Sequence, residues 1–157
     1  MKYLIIYITI AIFISCNHSQ NSGHSSIGFE STVLKEVEDA VWAFHAADTS
    51  RNAEAVINLM WPECNMLIDG NRIQYNDLVE GARSFMPGLI VFHTEWKDLN
   101  IIPIDPNNAL SSFIFEDSIV TNTGDIIRST GPNTFLWQKR GDEWRIIYGD
   151  ADHYPID

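Results

Sequence analysis

Basic residues are scarce in this chain: 10 Lys and Arg stand against 21 Asp and Glu, a formal net charge of −11. No basic cluster offsets that balance, which excludes nucleic acid as a partner, because phosphates demand such patches. Cysteine is scarcer still. Cys16 and Cys64 cannot make a disulfide framework. No glycine loop of the phosphate-binding kind occurs, and Ser84, Ser111 and Ser112 lack the setting of a nucleophile elbow. His93, Glu95, Asp150, Asp152 and His153 are ligating types, but no H-x-H, HExxH or facial-triad spacing joins them. Neither a metal nor a cofactor is therefore expected. No apolar run is long enough to cross a bilayer, which takes ~20 helical residues; the longest, Tyr3 to Ile14, is about a dozen.

That run follows Lys2 and contains Thr9 as its one polar residue, which suits the apolar core of a signal peptide. Phe13-Ile14-Ser15-Cys16 at its end resembles the lipobox of bacterial lipoproteins, in which the cysteine becomes the lipidated first residue. An uncleaved anchor and ordinary secretion are the competing readings. The expected organisation is a signal over residues 1–15, a flexible tether over 16–28, and one domain over 29–157. The resemblance implies lipid anchoring at Cys16 on the extracytoplasmic or periplasmic face of a bacterial envelope. The membrane is then touched through the lipid alone. The tether, rich in Ser, Asn and Gly, has almost nothing to bury.

The domain opens with helical periodicity. Val33, Val37, Ala40, Val41 and Phe44 form one apolar stripe, capped by Ser31 or Thr32, with His45 at its flank. These residues predict a helix over 31–48. A second is expected over 50–60, capped by Thr49 or Ser50 and stopped by Trp61-Pro62. Asn65–Ile68 reads as a short strand turning at Asp69-Gly70-Asn71, and Asn76 begins a third helix over 76–86. Three long strands follow: Val91–Ile104, Leu110–Thr121 and Ile126–Gln138, the last bulged at Gly131-Pro132.

The closing stretch, Gly131 to Tyr154, carries the most information. Gly141-Asp142 suits a two-residue hairpin turn closed by Arg140 and Glu143, pairing Trp137 with Ile146 and Phe135 with Tyr148. Strict alternation then puts Phe135, Trp137, Trp144, Ile146 and Tyr148 on one face, continuing into Asp150 and Asp152. An apolar wall ending in carboxylates is how a small-molecule pocket is built. His153 falls on the opposite face in this register.

Helix, helix, hairpin, helix, then antiparallel strands is an α+β order. With AFHAADTSRNAEAVINLMW, NMLIDG and TFLWQKRGDEWRIIYGDADHY, the chain resembles the nuclear transport factor 2-like superfamily, specifically its SnoaL-like branch. The resemblance implies a cone-shaped, curved, mainly antiparallel sheet wrapped by three amino-terminal helices. It also implies a pocket inside the cone and a homodimer through the sheet's outer face. Relatives place pocket residues at the positions of Tyr148 and Asp150. The isomerases' catalytic Asp falls at NMLIDG, which makes Asp69 its counterpart. Their second acid falls near Asn133 and their oxyanion-hole tyrosine near Phe44 or His45, so steroid isomerisation is not expected.

Two functional classes follow. One is a module that binds a small, largely apolar molecule in the cone. The other is a cofactor-independent lyase, isomerase or hydrolase with Asp150 as acid or base, aided by Tyr148 and Asp69. His45, Trp61, Trp96, Phe115, Arg128, Phe135, Trp137 and Ile146 are the candidate ligand contacts. An inward Arg128 would clamp a substrate anion.

Overall fold

The computed structural model describes residues 25–157, with side chains from Gly28 onward. The signal, Cys16 and most of the tether lie outside the described residues. Helix α1 (Ser25–Thr49) is followed by α2 (Ala53–Asn58), β1 (Met60–Ile68), β2 (Asn71–Gln74) and α3 (Tyr75–Phe85). Then come β3 (Leu89–Asp105), β4 (Asn108–Thr121), β5 (Ile126–Arg140), β6 (Glu143–Ala151) and the short β7 (Tyr154–Pro155). The strands form one curved mixed sheet in the order β2-β1-β6-β5-β4-β3, with β7 on β5. All neighbours are antiparallel except β1 and β6, which run parallel. The expected α+β architecture is present. None of the described helices is long and apolar enough to cross a membrane.

Several boundaries depart from expectation for local reasons. The first helix begins earlier, at Ser25. The second is shorter because Asn52, not Thr49 or Ser50, caps it: its side chain accepts from the Ala55 N–H. Pro62 does not follow a helix but sits inside β1, where the pairing with β6 breaks between Met60 and Asn65. A proline is tolerated at such an irregularity because no ladder donor is needed there. The third helix starts at Tyr75, and neither Gln74 nor Asn76 supplies a side-chain cap.

Helix α1 lies across the concave face of the sheet. Val33, Val37, Val41, Phe44 and Ala47 are its buried stripe. Under them, Trp137 and Ile146 are fully buried together with Cys64 and Ala109. The Trp137 indole N–H donates to the buried Ser111 hydroxyl at 2.8 Å, satisfying both groups inside the core. Trp144 and Lys139 reach back to Glu36 of α1 at 2.8 and 2.7 Å, tying the helix to the hairpin. This end of the sheet is therefore solid. Burial also pushes the Cys64 thiol up to about 12, with Glu63 adding to it, so it stays a structural thiol.

The final hairpin forms as expected at its turn, with Arg140 opposite Glu143 and Trp137 opposite Ile146. Beyond that point the register shifts by one. Leu136 faces Tyr148, Phe135 faces Gly149, Thr134 faces Asp150 and Asn133 faces Ala151. The extra residue is Ile147, a bulge that flips every later side chain of β6 to the other face. The expected bulge at Gly131-Pro132 is absent on the β4 side, where the pairing runs unbroken from Asn108–Gln138 to Val120–Ile126. Gly131 has a different task. A Cβ there would overlap the Asp152 carbonyl oxygen and stand 2.9 Å from its carbon. Its missing side chain lets the chain after β6 cross closely over β5 before β7 pairs with Ser129 and Thr130.

Candidate functional site

Past Phe44 the concave face is not filled. The inner positions of β3, β4 and β5 carry Phe92, Thr94 and Trp96, then Phe113, Phe115, Asp117 and Ile119, then Ser129, Asn133 and Phe135. Helix α1 contributes Phe44 and Asp48, β1 contributes Met66 and Ile68, and Met86 and Leu89 close one side. They line a half-open cavity of about 820 Å³. Its aromatic wall is continuous: Trp96 stacks on Phe113 with centroids 3.9 Å apart, and Phe135 packs on Phe44 at 5.2 Å.

Polar groups interrupt that wall, two carboxylates among them. Asp48 stands on the last turn of α1 and Asp117 on β4, directly across from Thr94 of β3. Asp48 is half-buried and lines the cavity. Burial, reinforced by the charge of Asp117, raises its carboxyl from the ordinary 3.8 to about 7. Burial also raises Asp117, while Thr94 and the charges of His153 and His93 hold it back. Thr94 is the ladder partner of Asp117, yet its buried hydroxyl oxygen has no hydrogen-bond partner. The buried Asn133 Oδ1 has none either.

A second pair lies where the chain leaves β6. Asp69, at φ 50° in the β1–β2 turn, accepts from the His153 backbone N–H at 2.7 Å. Its Oδ1 is also 3.1 Å from His153 Nδ1. The backbone donor chiefly holds the Asp69 carboxyl below its usual range, with the imidazole adding to it against partial burial. His153 packs its ring on Phe115 at 4.9 Å and borders the cavity. The expectation that His153 faces away is thus corrected: β6 ends at Ala151, so strand alternation no longer governs it.

Of the candidate contacts, Trp96, Phe115, Phe135 and Asp69 line the cavity, and exposed Arg128 borders it. Arg128 makes no ion pair with Asp150; its carbonyl accepts from the Ile156 N–H. Trp137 and Ile146 belong to the solid core instead. Trp61 points to the other side of the sheet, donating to the Gln138 carbonyl at 3.0 Å between the guanidinium groups of Arg140 and Arg145. His45 sits outside the wall, edge-on to Trp96 at 4.8 Å, its Nε2 3.3 Å from the Thr94 carbonyl.

Tyr148 and Asp150 require the largest correction. Gly149 faces inward, where an added Cβ would meet Met66 and Phe135. Tyr148 and Asp150 therefore stand on the outer face with Leu136, Thr134 and Leu67, their partners across the ladders. There the Tyr148 hydroxyl donates to the Asp150 carboxylate at 3.5 Å. Asp150 borders the cavity as a residue, but its side chain is directed away from it. His93 and Glu95 pair on the exposed outer face at 3.7 Å.

Sequence reasoning passed over Asp48 and Asp117. Asp48 ends the expected first helix and follows Phe44 at i+4, on the edge of the buried stripe. Asp117 alternates with Phe113 and Phe115, and that alternation was the available signal.

No family model matches the sequence, and no curated protein matches it. Solved structures do resemble it. A nuclear transport factor 2-like superfamily protein from Salmonella enterica superposes with a TM-score of 0.69 at 16% identity, over 81% of this chain and 94% of that one. A hexachlorocyclohexane dehydrochlorinase, LinA type 2, gives 0.68 at 10% identity over 81% and 90%. A ketosteroid isomerase-like protein from Erwinia carotovora atroseptica gives 0.64 at 18% identity over 76% and 95%. At these identities the likeness concerns the fold, and the fold is nuclear transport factor 2-like.

Proposed function

We propose that this chain is a SnoaL-like protein that holds one small, largely apolar molecule in the cavity between α1 and the concave sheet. The observation that carries this is the cavity itself: about 820 Å³, walled by aromatic and aliphatic side chains and interrupted by a few polar groups. That is the usual composition of a small-molecule site. The concave face has the side chains to fill it with core, and at the Trp137 end it does so. Elsewhere Phe115 and Phe135 wall a space instead. Titration calorimetry with 1-naphthalenemethanol, a neutral aromatic probe, should show one site per chain with a negative heat-capacity change. Absence of binding at millimolar probe would count against the reading.

A second reading is supported by Asp48. A carboxyl near neutrality in an apolar cavity is matched to taking and returning a proton. A cofactor-independent lyase, isomerase or hydrolase would then use Asp48 in the role expected of Asp150. A dehydrochlorinase and an isomerase-like protein among the structural neighbours are compatible with it.

Location and assembly complete the proposal. Cys16 anchors the domain to a bacterial envelope by its lipid, a reading that rests on the sequence motif. Replacing Cys16 with Ser should abolish incorporation of labelled fatty acid; undiminished labelling would refute the anchor. The outer face of β3 and β4 exposes Ile102, Ile104 and Ile114, 50%, 52% and 39% accessible, which supports a homodimer through the sheet. Ile104→Asp should then shift the sedimentation coefficient from dimer to monomer. A wild-type chain that sediments as a monomer would remove the dimer.

A further inference from the structure

Two carboxylates interrupt the apolar wall of the cavity without a cation in contact. Asp48 and Asp117 both line it, and beside them the Thr94 hydroxyl and Asn133 Oδ1 are buried without a hydrogen-bond partner. The Thr94 residue is only 5% exposed. None of the ion pairs among the described residues includes either carboxylate. Two facing acids in an apolar wall repel each other, and unpaired buried acceptors are costly to keep. The nearby basic groups relieve them only in part: His153 and His93 act on Asp117 without an ion pair, Arg128 is exposed, and His153 is turned to Asp69.

The apolar surroundings point the same way. Phe44 lies one helical turn before Asp48. Along the inner strand faces, Phe92 and Trp96 flank Thr94, and Phe115 precedes Asp117 by two residues. Aromatic ring faces attract cations, most strongly where water is excluded. The chain's net charge of −11 draws cations to it over a longer range.

We infer that the ligand is an amphipathic amine. Its protonated nitrogen sits between Asp48 and Asp117, and its apolar, ring-bearing body lies along Trp96 and Phe115. This rests on the cavity being the binding site. A cation there supplies donors to the two carboxylates and removes the repulsion between them. A carboxylate or phosphate ligand would add a third negative charge to the same wall. A neutral hydrocarbon would leave every acceptor unpaired.

Three probes of one shape separate these cases: 1-naphthalenemethylamine, 1-naphthalenemethanol and 1-naphthoate, titrated calorimetrically at pH 8. The amine should bind about tenfold or more tightly than the alcohol, and the acid most weakly. Asp117→Asn and Asp48→Asn should each bring the amine toward the alcohol's affinity, narrowing the gap between the two probes. Circular dichroism of both variants confirms that they remain folded. Alcohol binding equal to or tighter than amine binding would overturn the amine and leave the cavity as the site. Amine preference that survives both substitutions would also overturn it, because the nitrogen would then lie elsewhere. Failure of all three probes to bind would overturn the cavity reading and the amine with it.

Discussion

Gly131→Ala should cost this fold at least about 3 kcal/mol, an amount that comes only from a short list of mechanisms. The new methyl would overlap the Asp152 carbonyl oxygen and press on its carbon at 2.9 Å. Both atoms belong to backbone, so no rotamer change relieves the overlap. The Phe115 ring, with Cζ 3.3 Å away, closes the remaining direction. The Asp152 N–H, which donates to the Pro132 carbonyl at 3.3 Å, would have to move with the crossing chain. His153 follows directly, so the same change should also separate it from Asp69. Gly81→Ala is the matched control. Gly81 lies within α3 with nothing within 4 Å of an added Cβ, so alanine should stabilise there by about 0.5–1 kcal/mol. Urea denaturation of both variants measures the contrast. A Gly131→Ala protein as stable as the parent would mean that the chain does not cross there.

Asp48→Asn should have the second large effect, in the opposite direction. The Asp48 carboxyl titrates at about 7 in the fold, because of its burial and then Asp117, against 3.8 ordinarily. Between those values the folded state holds a proton that the unfolded chain has released. Stability from this group therefore falls as pH rises from about 4 to about 7, and the loss is complete above that. Asn carries no charge at any of these values, so the loss disappears. At pH 8 the variant should be more stable by an amount on the order of 2–4 kcal/mol, and at pH 4 nearly equal to the parent. The pH profile between these limits should flatten. Urea midpoints measured at both values check the sign. A variant less stable at pH 8 would show that Asp48 is a paired, stabilising charge.

Both predictions lie where simple periodicity fails. The fold was legible because its signals are local and repeated: the α1 stripe, the two-residue turn at Gly141-Asp142, and four long strands. The site was legible only in outline. Alternation along β5 correctly put Phe135 inside, and β3 and β4 turned Trp96 and Phe115 the same way. Ile147 then broke the count on β6, and one extra residue moved Tyr148 and Asp150 from the inner to the outer face. Nothing in IIYGD marks that bulge by composition alone. It is set by where β1 and β5 must meet β6, a contact between distant segments. Gly149 was the overlooked clue, since an inward glycine leaves room for Met66 and Phe135.

Asp48 and Asp117 were hidden for a different reason. A carboxylate at a helix end or amid a strand is ordinarily solvated, and its burial depends on three elements converging. The facing of α1, β3 and β4 decides it. Asp69 and His153 meet for a comparable reason, 84 residues apart in sequence, because Gly131 allows the chain to cross.

The cavity as a ligand site is tested most directly by a crystal structure of the domain soaked with 1-naphthalenemethanol. The account predicts one naphthalene ring inside the concave sheet, in van der Waals contact with Trp96, Phe115 and Phe135. Electron density for the probe only on the outer face, beside Tyr148 and Asp150 or along Ile102 and Ile104, would contradict it.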